Sequence, residues 1–96
     1  MIAFSSQDEE LLGKAAAAFR TLLKAEADKA GSDIPAIILG PTASGRINGS
    51  FRAKIIVKCR NNRKFRDMLR FVMLSAYKLP EFRKVSFYVD FNGEII

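Results

Sequence analysis

Arg52, Lys54 and Lys58 fall on alternate positions of one extended stretch, and Arg60, Arg63, Lys64, Arg66 and Arg70 crowd the segment that follows. Guanidinium and ammonium groups at this density suit phosphate and carboxylate recognition, through charge-assisted hydrogen bonds that arginine can make in pairs. The charge is local. Residues 46–84 carry 12 Lys/Arg against 2 Asp/Glu, a block of +10, whereas residues 1–45 (4 basic, 6 acidic) and 85–96 (2 acidic) each carry −2. A basic block in an otherwise mildly acidic chain points to an anionic partner.

Other chemistries are poorly supplied. The chain has no histidine and one cysteine, Cys59, so an intramolecular disulfide is excluded and a zinc site is not expected. Asp90 and Glu94 are isolated carboxylates, and no nucleophile has a base beside it. The stretch Gly40-Pro41-Thr42-Ala43-Ser44-Gly45-Arg46 has small residues and a basic tip, but it lacks the Gly-Lys-Ser/Thr ending of a phosphate-binding loop. The expectation is a binding domain with no catalytic residues, no metal and no cofactor.

The elements that must hold these cations can be read from periodicity. Ninety-six residues make one domain with one core, and 49% hydrophobic with 27% charged residues is an ordinary globular composition. No apolar run approaches the roughly 18 residues of a membrane span, so no membrane partner and a cytoplasmic location are expected. Ile2-Ala3-Phe4 reads as a short strand; its start at residue 2 suggests a piece of a longer protein. Ser6-Gln7-Asp8-Glu9 has the spacing of a capping box, and Leu12, Ala16, Phe19, Leu23, Ala27 and Ala30 form one helical face, so a first helix is predicted over residues 7–30, with Gly31 as its stop. Residues 34–39 read as a second strand closed by Gly40-Pro41, and 42–48 as a polar loop ending in the turn signal Asn48-Gly49.

The third strand, about residues 50–59, alternates clearly. Phe51, Ala53, Ile55, Val57 and Cys59 share one face; Arg52, Lys54 and Lys58 share the other, with Ile56 the exception. Cys59 has core parity and reads as a small buried hydrophobe. Asn61 or Asn62 can cap a second helix, whose core stripe is Phe65, Met68, Leu69, Val72 and Ala76 and which Leu79-Pro80 ends. Val85, Phe87, Val89 and Phe91 then alternate with Ser86, Tyr88 and Asp90 in a last strand. The order β-α-β-β-α-β is that of an α+β, ferredoxin-like split βαβ sandwich, a four-stranded antiparallel sheet with two helices on one face.

In that architecture one sheet face is uncovered. Lys and Arg on such a face are often merely solvated, but three on alternate positions, with Tyr88 at matching parity, suit a nucleic-acid strand whose bases stack on an aromatic while cations track phosphates. Arg60, Arg63, Lys64 and Arg66 crowd a helix start, where the dipole disfavours cations by about 0.3–1 kcal/mol each and free N–H groups bind anions. Their stems can bend away into water; the alternative is that a phosphate or carboxylate belongs there.

Several of these residues form a recognisable pattern. Ile38-Leu39-Gly40-Pro41, then Arg46-Ile47-Asn48-Gly49-Ser50-Phe51-Arg52, then Ile55-Ile56-Val57-Lys58, with the final Val85-Ser86-Phe87-Tyr88-Val89-Asp90-Phe91-Asn92, is similar to the C-terminal domain of the primosomal protein N′ (PriA) family of replication-restart helicases. The resemblance spans nearly the whole chain. Departures are a shorter loop after Gly40-Pro41, lacking a second proline, and Gly93 after Asn92 where the family often has proline. The resemblance implies an accessory domain of an ATP-dependent DNA helicase, contacting branched or single-stranded DNA, other domains of the parent helicase and the acidic tail of single-stranded-DNA-binding protein. It carries a role over to Phe51, Arg52 and Lys58, and to an arginine near the second helix start, with Arg63 and Arg66 as candidates. Arg46, Phe51, Arg52, Lys54, Lys58 and Tyr88 make one expected nucleic-acid surface; Arg60, Arg63, Lys64, Arg66 and Arg70 make an expected anion or partner surface. The rival readings are a free-standing RNA-binding protein of this fold and a regulatory domain for a small anionic ligand. An acylphosphatase-type enzyme is disfavoured because Ser5-Ser6-Gln7-Asp8-Glu9 is acidic where a phosphate loop would sit.

Overall fold

The computed structural model describes residues 1–31, 36–59 and 63–90. Its elements are β1 (Ile2–Ser6), α1 (Glu9–Ala30), β2 (Ile37–Ile47), β3 (Ser50–Lys58), α2 (Arg63–Tyr77), a short 3₁₀ turn (Pro80–Phe82) and β4 (Ser86–Val89). The strands form one sheet in the order β2-β3-β1-β4, every neighbouring pair antiparallel. Inward residues of β1 and β3 join the buried stripes of both helices in a single core, so both helices cover the same face of the sheet. This is the ferredoxin-like α+β arrangement expected from the sequence. Asn61 and Asn62, the beginning of the expected second strand and the end of the expected last strand lie outside the described residues.

Helix α1 begins two residues later than predicted. Asp8 sits in extended backbone and its carboxylate accepts the Leu11 N–H at 3.1 Å, satisfying one of the unpaired donors of the first turn. Ser6 remains in β1, buried; its Oγ accepts the Asp8 N–H at 3.1 Å and donates to the Lys84 carbonyl at 2.9 Å. The box residues therefore act in sequence, Ser6 fixing the chain's exit from the sheet and Asp8 starting the helix. Gly31 (φ 58°) closes α1, its N–H donating to the Ala27 carbonyl.

The second hairpin departs most from the sequence reading. Residues 42–47, expected as a loop, continue β2: Thr42 pairs with Lys54, Ala43 with Ala53, Gly45 with Arg52, Arg46 with Phe51 and Ile47 with Ser50. Asn48 (φ 52°) and Gly49 (φ 81°) form the two-residue turn, both in the left-handed region that favours Asn-Gly. The ladder shifts register twice, between Leu39 and Thr42 and between Ala43 and Gly45. Gly40 (φ 101°) sits at the first shift, where an added Cβ would lie 2.9 Å from the Lys54 carbonyl oxygen, and Gly40–Pro41 is cis. Proline is tolerated because β2 is an edge strand.

The core centres on aromatic rings. Phe4 and Phe19 meet edge to face at 5.4 Å, Phe19 and Phe87 at 5.3 Å, and Phe82 and Phe87 at 5.3 Å. Phe65, Met68, Leu69, Val72 and Ala76 are all buried, as the helical spacing of α2 requires. Phe19 is fully buried at the crossing of α1 and the sheet. Phe19→Ala is therefore expected to lower unfolding free energy by about 3–5 kcal/mol, and Asp8→Ala by about 1 kcal/mol, read from urea denaturation followed by circular dichroism. Equal losses from the two would contradict this distribution of stability.

Candidate nucleic-acid interface

Strand β3 separates two chemistries by parity. Ala53, Ile55 and Val57 are buried beneath the helices, which turns Arg52, Lys54, Ile56 and Lys58 to the uncovered face. Cross-strand pairing then places their neighbours. One row runs Thr42, Lys54, Ala3, Tyr88; the next runs Gly45, Arg52, Ser5, Ser86. The central strand β1 thus contributes only Ala3 and Ser5 to this face, leaving a shallow trough with cations on the β3 side and Tyr88 on the β4 side. Lys54 and Tyr88 stand two strand spacings apart, about 9–10 Å. Tyr88 is 52% exposed and available for stacking.

Ile56, the apolar exception in the basic alternation, is paired with Leu39 on the same face, and Ile37 pairs with Lys58. Ile37 and Leu39 are both exposed, so an apolar border flanks the cations on the edge strand. Sequence reading missed this border, although Ile37 and Leu39 share a parity that was available as a signal.

Not every expected residue joins the face. Arg46 and Phe51 pair across the hairpin on the helix side, with the Arg46 guanidinium 4.9 Å from the Phe51 ring centre. Phe51 is half-buried against the core. The aromatic–Arg pair Phe51-Arg52 is thus divided by parity, Phe51 inward and Arg52 outward. The structure places Arg52, Lys54, Lys58 and Tyr88 on one face, with Tyr88 in the row of Lys54, and sets Arg46 with Phe51 on the other.

The second expected surface lies along α2. Arg63, Lys64, Arg66 and Arg70 are exposed and the first turn has no acidic residue; Arg60 lies outside the described residues. Arg63 Nε is 3.9 Å from Asp67 Oδ2, an exposed pair of small energetic weight. Arg66 and Arg70 border a groove of about 250 Å³ with Leu69, Met73, Leu74 and Tyr77, and the Tyr77 ring lies 4.8 Å from that of Phe87. Cys59, at the end of the inward parity, is partly buried, and burial pushes its thiol pKa up.

Among the described residues no group of three or more His, Cys, Asp or Glu is placed to hold a metal ion, and no helix is long and apolar enough to cross a membrane. No protein-family model matches the chain, and no curated protein matches its sequence.

The open face carries little of the fold's stability, because its side chains leave the core untouched. Arg52→Gln, Lys54→Gln and Lys58→Gln are each expected to change unfolding free energy by less than about 0.5 kcal/mol in urea titrations. A loss above about 2 kcal/mol for any of them would identify that cation as structural.

Proposed function

We infer that this chain is a non-catalytic nucleic-acid-binding domain that lays a strand along the open face of its sheet. The observation that carries the reading is the alignment of Arg52, Lys54 and Lys58 on the open face of β3, with Tyr88 on the same face in the cross-strand row of Lys54, beyond Ala3. Cations at alternate strand positions neutralise successive phosphates and release counterions, which supplies affinity without sequence preference. Tyr88 offers a π-face to a base of any identity. It stands two strand spacings, about 9–10 Å, from Lys54, so one strand can use both sides of the trough.

The resemblance to primosomal helicases supports DNA as the nucleic acid and an accessory role beside an ATP-driven motor on the same protein. In this reading the arginine-rich start of α2 is the partner surface. Its exposed cations suit a compact anion, such as the acidic tail of single-stranded-DNA-binding protein or an acidic patch on a neighbouring domain.

Titration of labelled single-stranded and forked DNA at several salt concentrations tests the proposal. Binding is expected to weaken linearly on a log–log plot, with a slope of about −0.7 per phosphate contacted on single strands. The triple variant Arg52→Gln, Lys54→Gln, Lys58→Gln is expected to flatten that slope by about 2. Arg63→Gln, Arg66→Gln, Arg70→Gln removes the same charge and should change it by less than half as much. No binding at low salt, or equal effects of the two variants, would overturn the assignment of the open face; tighter binding to RNA of the same sequence would overturn the choice of DNA.

A further inference from the structure

A second feature lies on the helix side of the long hairpin. A cleft of about 490 Å³ opens between the first turns of α1 and the β2–β3 hairpin. Its walls are made of small residues from both sides, Gly13 and Ala16 on α1 and Ala43, Gly45 and Ala53 on the hairpin; Phe51 and Arg46 line it, and Glu9 stands opposite them. The volume lies in the range of small-ligand pockets.

Gly13 is the unexplained residue. It sits within α1, where glycine is destabilising relative to alanine. Nothing lies within 4 Å of the Cβ it lacks, and its backbone has no positive φ that would call for glycine. Neither packing nor conformation accounts for it. Gly13 is exposed and lines the cleft, so a side chain there would border it.

We propose that this cleft receives one unstacked nucleobase of the bound strand, an inference that rests on the nucleic-acid reading above. The base lies against Phe51 and the guanidinium that Arg46 holds over its ring, two flat groups on which bases stack. Arg46 lines the cleft and meets the adjoining phosphate, while the Glu9 carboxylate accepts N–H groups from the edge of the base. An acid here repels phosphate, which favours a base entering the cleft with its phosphate left at Arg46. Arg52 borders the cleft while its side chain turns to the open face by parity, so the strand passes over the hairpin edge to reach from one to the other.

The test uses Gly13→Leu, which places a side chain at the border of the cleft, and a 12-nucleotide single strand compared with the same strand made abasic. The leucine favours the helix, so the melting temperature should stay level or rise. Wild type should bind the normal strand at least about 5-fold more tightly than the abasic strand, as expected for stacking a base. Gly13→Leu should lose a similar factor on the normal strand, lose nothing further on the abasic one, and keep the wild-type salt slope, since no phosphate contact is removed. A variant that binds the normal strand as wild type does would overturn the cleft proposal and leave the open-face reading standing. Deoxyguanosine monophosphate binding as tightly as the strand would overturn it in favour of a free-nucleotide site. Absence of strand binding by the wild type would remove both readings together.

Discussion

The register of β3 is the constraint on which the rest of the molecule depends. Ala53, Ile55 and Val57 face a core built from Phe4, Phe19, Phe65 and Leu69, and the alternating positions Arg52, Lys54 and Lys58 are cationic, with Ile56 the exception. A slip of one residue would bury Arg52 and Lys54 and expose the aliphatic set; burying unpaired cations is far costlier than any ladder bond could offset. β3 is therefore pinned by both its faces. Because it is paired with β1 on one side and β2 on the other, its register fixes where Ala3, Ser5 and Tyr88 stand, and with them the trough. The hydrophobic effect on one face thus determines the spacing of charge on the other.

The cations of α2 follow a different logic. On β3 the basic residues occupy positions that the fold leaves to solvent, and their cost is small. At the start of α2 they sit against the positive end of the helix dipole, with Asp67 the one acid of the first two turns. Screening lowers that penalty in water but does not reverse its sign. A negative charge beside these guanidinium and ammonium groups would offset it. The two basic surfaces therefore differ in kind, one an extended row over a sheet and the other a cluster at a helix end.

What could be read from the sequence was what period alone controls. The alternation of β3 and β4, the stripe of α2 and the apolar face of α1 survive in the structure because each has a long run of residues obeying one repeat. The long arm of β2 was not legible, since Gly-Pro-Thr-Ala-Ser-Gly is poor in strand-forming residues and its pairing is imposed from outside by the Asn48-Gly49 turn and the strength of β3. The start of α1 misled for a related reason: Ser6 and Asp8 can both cap, and a bond to the distant Lys84 carbonyl assigns Ser6 to the sheet. The division of Phe51 from Arg52 was visible in their parity. The contact of Arg46 with Phe51 was not, because it required the hairpin to be recognised first.

The hairpin arm itself has an unusual mechanical position. All residues from 41 to 49 are exposed, so this part of β2 gains little from the core and is held by its ladder to β3. At its base the Arg20 Nε–H donates to the Gly40 carbonyl at 2.8 Å, tying the first register shift to the middle of α1. A charge-assisted bond at the root and a tight turn at the tip define an arm whose interior has few apolar contacts, the condition for low local stability within a stable domain. Such a segment can adjust without disturbing the aromatic core beneath α1. Its one cation, Arg46, rests on Phe51, a residue that packs against that core, so the adjustable arm keeps its charge referenced to the rigid part of the fold.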